Sequence, residues 1–83
     1  MLQKGIVVVS RAGRDRGRLL VVVGAKDGRV LCADGKKRKL LSPKLKNISH
    51  ISGIDAFIDL SSVKTDRDLR RQLALVAHTQ NER

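Results

Sequence analysis

Four arginines, Arg11, Arg14, Arg16 and Arg18, crowd around two glycines, Gly13 and Gly17, in the stretch VVVSRAGRDRGR at 7–18. A guanidinium is permanently charged, and its planar fork of N–H donors fits phosphate oxygens two at a time. Glycine lets a backbone take positive φ or come close to a ligand. Arginines on a glycine-hinged loop are therefore suited to gripping a polyanion. A solvated turn that merely keeps the chain soluble is the weaker reading, since it leaves the pairing of four arginines with two glycines unexplained. Asp15 stands among these arginines and is expected to orient them by local pairing.

A second basic group follows, Lys36, Lys37, Arg38 and Lys39, with Lys44 and Lys46 close behind. Such a run binds phosphate, protects an exposed sheet edge by charge, or mimics a nuclear localisation signal, and phosphate binding is the favoured expectation. Other chemistry is sparse. GRDRGR at 13–18 has three residues between its glycines and then arginine, where the phosphate loop of nucleotide hydrolases needs lysine followed by Ser or Thr. There are no paired carboxylates and no Ser/His/Asp set. His50 and His78 are isolated, the first expected at the surface or as a minor RNA contact, the second near a helix carboxyl end. Cys32 is alone in an apolar run, which makes it a core residue, allows no internal disulfide and offers no zinc spacing. The sequence predicts no enzyme, no metal and no cofactor.

The charge distribution points to the same partner. The 83 residues hold 18 Lys and Arg against 8 Asp and Glu, a net charge of +10. Residues 1–34 have seven basic and three acidic side chains, 35–50 have six basic and none acidic, and 51–83 have five of each. An excess confined to one contiguous region implies a polyanionic partner at that surface. A chain this short builds one small domain and a modest core, which disfavours a deep shielded active site. Phe57 is the lone aromatic residue, so base stacking is not the main source of affinity. What remains is recognition of backbone and shape, with Arg and Lys tracking the phosphates of folded or double-stranded RNA. Double-stranded DNA would need a recognition helix, which the sequence does not offer.

The first fifty residues also carry a family resemblance. Residues 5–10, 13–18 and 19–24 give an apolar strand, a Gly-basic-Asp-basic-Gly-basic loop and a second apolar strand, which resembles the KOW motif, with Gly17 at its characteristic glycine. ADGKKRKLLSPKLKNISHI at 33–51 is similar to the basic second half of the KOW proteins of the archaeal and eukaryotic large ribosomal subunit and of their small bacterial relatives. The resemblance implies a small SH3-like barrel and an RNA partner, ribosomal RNA foremost, with the ribosome as the setting. Leu19 and Leu20 stand where many KOW sequences have a second glycine.

Five short strands are expected over 5–10, 19–24, 29–33, around 38–41 and over 48–51, with turns at Lys26-Asp27-Gly28 and Asp34-Gly35 and a break at Pro43. The predicted fold is mostly β, a five-stranded SH3-like (KOW) barrel over 1–52, then a C-terminal extension over 53–83. GIDAFIDLSS at 53–62 fits either a packed extended segment or a short helical turn. Thr65 reads as an N-cap with Asp66 and Asp68 in the first turn, and Leu69, Leu73, Val76 and Ala77 recur at helical spacing, which predicts a helix over 66–78 and fraying over 79–83.

The expected site is Arg11, Gly13, Arg14, Arg16, Gly17, Arg18, Lys36, Lys37, Arg38, Lys39, Lys44 and Lys46, docking on structured RNA in a translation or ribosome-associated role. The alternative is a protein-interaction adaptor of the kind found among transcription elongation factors with KOW domains, docking through Leu69, Leu73 and Val76. No run approaches the roughly 20 apolar residues of a membrane helix, and the apolar run before Arg11 is short for a secretion signal. A cytoplasmic protein without membrane contact is expected.

Overall fold

The computed structural model describes residues 2–81. Five strands, β1 (Ile6–Ser10), β2 (Leu19–Lys26), β3 (Arg29–Ala33), β4 (Lys44–Lys46) and β5 (Ile51–Phe57), form one antiparallel sheet in the order β4-β3-β2-β1-β5. One helix, α1 (Asp66–Asn81), follows. Among the described residues no helix is long and apolar enough to cross a membrane.

The unbroken apolar runs of β1 and β2 reflect a sheet covered on both faces. Side chains alternate along a strand, so a half-exposed strand would read apolar, polar, apolar. Here Val7 and Val21 turn to one side and join Ala33, Ile58, Leu69 and Leu73, while Val8, Leu20 and Val22 turn to the other and join Val30, Cys32 and Ile51. The first cluster lies under α1, and the second is on the opposite face, where Leu2 and Ile6 pack against it. Cys32 is fully buried as expected, and loss of hydration pushes its thiol up to about 11 against the opposing pull of the Lys46 charge. Register shifts between Ile6 and Val8 and between Val22 and Gly24 bend the sheet. Asp27 and Gly28 have φ of 53° and 76°, the pair of positive angles that joins strands of right-handed twist in a tight hairpin.

Two strands differ from expectation. The strand expected around 38–41 is absent there, and the chain pairs instead at β4, which starts six residues later, at Lys44. Asp34-Gly35 does turn the chain, with Gly35 at φ 77°, but Asp34 Oδ1 then accepts the backbone N–H groups of Lys36 and Arg38 at 2.9 and 2.8 Å. The Leu40 N–H is taken by Asp66 Oδ1 at 2.8 Å. Donors committed to side chains cannot join a ladder. Pro43 immediately precedes β4, where its missing N–H leaves no gap in the pairing. The strand expected over 48–51 begins only at Ile51, after a 3-10 turn at Ile48–His50, and runs on to Phe57. The boundary expected after residue 52 therefore falls inside β5, and residues 53–62 contain both forms that the sequence left open, strand to Phe57 and a 3-10 turn at Leu60–Ser62.

The helix begins where Thr65 caps it. Thr65 Oγ1 accepts the Asp68 N–H at 3.1 Å, and Asp68 Oδ2 accepts the N–H groups of Lys64 and Thr65 at 3.0 and 3.2 Å, a reciprocal box with aspartate in the usual place of glutamate. Those bonds, the one from Lys64 foremost, hold the Asp68 carboxyl below its ordinary value. At the other end Thr79, Gln80 and Asn81, expected to fray, belong to α1, while Glu82 and Arg83 lie outside the described residues.

Candidate nucleic-acid interface

The arginine loop is the connection between β1 and β2. Its neck is closed by the Ser10 N–H on the Arg18 carbonyl at 3.0 Å and the Gly17 N–H on the Ser10 carbonyl at 2.8 Å. Between them the chain makes a 3-10 turn at Gly13–Asp15. Gly13 and Gly17 have φ of 77° and 83°, the left-handed region where a side chain is strained, so both glycines are required by the path of the loop. Arg14 and Arg16 are exposed and form no ion pair among the described residues. Arg11 is exposed too, its Nε donating to Ser52 Oγ at 3.0 Å. Arg18 is partly buried and lies 3.5 Å from Asp34 Oδ2.

Beneath the loop sits a buried carboxylate. Asp15 is 1% exposed; its Oδ2 accepts from Arg38 Nε at 3.1 Å and lies 3.6 Å from Lys46 Nζ. Lys46 is also buried and donates to Ser10 Oγ at 3.0 Å and to the Ala12 carbonyl at 3.2 Å. Desolvation alone would raise the Asp15 carboxyl, but the hydrogen bond and charge of Arg38, with the charge of Lys46, outweigh it and hold the group below its ordinary value. Asp15 Oδ1 is buried without a hydrogen-bond partner among the described residues, so the carboxylate is held by charge as much as by bonding.

This network changes two expectations. Asp15 does not pair with the arginines of its own loop; the 3-10 turn aims it inward, and it binds cations 23 and 31 positions further along the chain. Lys46 is not a solvent-facing cation. It stands opposite Val30 in the β3–β4 register, and its ammonium is consumed by Ser10, Ala12 and Asp15. The remaining members of the second group divide the same way. Lys36, Lys37, Lys39 and Lys44 are exposed and form no ion pair among the described residues, whereas Arg38 is partly buried on Asp15.

The loop that presents Lys36, Lys37 and Lys39 is anchored from both sides. Asp34 pins it at the sheet, and α1 pins it from above through Asp66 on the Leu40 N–H and Arg70 Nη1 on the Gly35 carbonyl at 2.6 Å. The loop lies so close to the helix that a Cβ on Gly35 would collide with the Asp66 carbonyl. Sequence reasoning missed Asp34 and Arg70 as anchors. Asp34 carried a local signal, an aspartate placed to accept N–H groups two and four residues on; Arg70 carried none.

Contacts across the two loops make them one surface. Arg38 reaches from the second loop to Asp15 in the first, and Arg18 reaches from the first to Asp34 in the second. The exposed cations Arg14 and Arg16 of the first loop and Lys36, Lys37 and Lys39 of the second are thus carried on loops tied together by ion pairs, with Arg11 and Lys44 exposed at the adjoining strand ends. The apolar stripe of α1 packs on the sheet: Leu69 and Leu73 are buried there and Val76, partly buried, packs against the same cluster. His50 is exposed, as expected, and its carbonyl accepts the Arg11 N–H at 2.7 Å. Among the described residues no three His, Cys, Asp or Glu side chains come together as metal ligands.

The chain matches no protein-family model, and no curated protein sequence is significantly similar to it.

Proposed function

We propose that this protein is an RNA-binding module of the KOW type, with an SH3-like barrel, that docks its two basic loops on the phosphate backbone of structured RNA. The observation that carries the reading is the cross-linking of the loops. Asp15 holds Arg38 and Lys46 while Arg18 meets Asp34, so cations far apart in sequence are displayed on one preformed surface. A charge cluster that served solubility alone would not need a buried carboxylate to align it. The resemblance of residues 5–24 and 33–51 to ribosomal KOW proteins makes ribosomal RNA the proposed target and the cytoplasm the proposed location. The adaptor reading has less support, because Leu69 and Leu73, two of the three residues it relies on, are buried within the chain.

Binding titrations with a folded RNA across a salt series test the proposal. Neutralising about six phosphates releases their counterions and gives a log–log slope of about −4 to −5. The double variant Arg14→Ala/Arg16→Ala, at exposed positions that support nothing in the fold, is expected to reduce the slope by about two and leave the melting temperature unchanged. Affinity that is flat with salt, or indifferent to the double variant, refutes the reading.

A further inference from the structure

Beside the second loop, a groove of about 320 Å³ runs between α1 and the neck of the two loops. Three cations line it, one from each neighbouring element: Arg18 from the start of the arginine loop's return, Lys36 from the lysine loop and Arg70 from the helix. Its apolar lining comes from Leu19, Leu73, Ala74 and Ala77. Asp34 also borders it, but that carboxylate is buried, accepts two backbone N–H groups and faces Arg18, so the groove keeps a positive excess.

The geometry points to an RNA nucleotide extruded from its stack as the occupant of this groove, its phosphate met by Arg18, Lys36 and Arg70 and its sugar and base laid on the apolar lining. The inference rests on the RNA-binding reading above and extends it to a residue of the helix and to a structural class of RNA. Three cationic residues bordering one groove suit a phosphate, and a paired, stacked helix would offer them only its backbone. An apolar lining between those cations has no use against a phosphate ridge but removes the exposed face of an unstacked base from water. The small side chains Ala74 and Ala77 leave the room. Arg70, an exposed residue, is tied to the lysine loop by its own bond to the Gly35 carbonyl. A helix from the charge-neutral half of the chain thereby joins the binding surface.

The test compares a hairpin RNA carrying a single-nucleotide bulge with the same hairpin fully paired. The parent protein is expected to bind the bulged form about tenfold more tightly. Ala74→Glu puts a carboxylate into the groove from an exposed helical position and is expected to abolish that preference. Leu75→Glu alters the charge equally one residue on, at a 63% exposed position outside the groove, and is expected to keep it. Lys36→Gln, in an exposed loop residue, is expected to weaken the bulged complex more than the paired one. A parent that does not distinguish the two RNAs, or Ala74→Glu and Leu75→Glu variants that behave alike, overturns the groove assignment. The Arg14→Ala/Arg16→Ala variant separates this failure from failure of the broader reading. If it still weakens both RNAs, the loops bind RNA without the groove; if it binds both like the parent, both proposals fall.

Discussion

Replacing Asp15 with Asn keeps the shape of the side chain and removes the charge that Lys46 and Arg38 share. Lys46 then remains as a buried ammonium held only by Ser10 Oγ and the Ala12 carbonyl. Breaking a buried pair by removing one partner costs about 3–5 kcal/mol. The residual hydrogen bonds of Lys46 and the 26% exposure of Arg38 favour the lower end, about 3 kcal/mol. A domain of this length has total stability of roughly 4–12 kcal/mol, so the loss is a large fraction of it. In melting temperature it amounts to a fall of about 10–25 °C. The double variant Asp15→Asn/Lys46→Met, which removes both charges, is expected to recover most of the loss. The pH dependence has a defined sign. The Asp15 carboxyl lies below its ordinary value of 3.8 in the folded state, so its contribution is complete above that value and disappears as pH falls through the folded one. The gap between parent and Asp15→Asn is therefore expected to be widest near neutral pH, to begin narrowing only below the ordinary value of 3.8, and to close as pH falls through the lower folded value. Urea and thermal denaturation of the three proteins at pH 7 and in a series descending from pH 4 measure all of this. A single variant that melts within about 3 °C of the parent at pH 7, or a double variant no better than the single, refutes the assignment of Asp15 as the clamp.

Two glycines separate strain from collision. Gly17→Ala meets no atom within 4 Å and is expected to lose about 1–2 kcal/mol from its positive φ alone, whereas Gly35→Ala adds a clash with the Asp66 carbonyl and is expected to lose more and to loosen the lysine loop; equal losses on chemical denaturation would contradict this. Leu69→Ala empties a fully buried site between α1 and the sheet and is expected to cost about 2–5 kcal/mol by urea unfolding. Because α1 also anchors the lysine loop through Asp66 and Arg70, deletion of residues 63–83 is expected to lower RNA affinity as well as stability; a truncated chain binding like the parent would show that the loop needs no helix.

Local features of the fold were legible because local chemistry determines them. Thr65 and Asp68 cap a helix with their own neighbours, Asp27-Gly28 turns a hairpin with its own φ angles, and Gly13 and Gly17 take the angles the loop demands. The site was half legible. Charge type and clustering identified Arg14, Arg16, Lys36, Lys37 and Lys39 as exposed cations, but nothing local distinguishes them from Lys46, which is buried by a carboxylate 31 positions away. The position of β4 was hidden for the same reason: the amide of Leu40 is bonded by Asp66, 26 residues on, and a strand cannot form where its donors are already committed. The extent of β5 was obscured by Gly53 and Asp55, poor strand formers that stand on an outer strand paired only with β1.

The double burial of the sheet leaves its registration to the turns. In a sheet with one wet face, sliding a strand by one residue drives its apolar set into water, and that penalty fixes the pairing. Along VVV and LLVVV the penalty nearly vanishes, since a one-residue slip exchanges one valine-lined core for another. Alignment must then be enforced at the ends of the strands, where the side chains are not interchangeable: at the Asp27-Gly28 hairpin, at Gly17 with its N–H on the Ser10 carbonyl, and at Ser10 itself, whose hydroxyl has to meet Lys46. The residues that shape the basic surface are thus also the stops that keep the central strands from misaligning, and exchanging them for the sake of binding carries a risk of shifted, non-native pairing that a helix-covered sheet would conceal from a simple measurement of secondary structure.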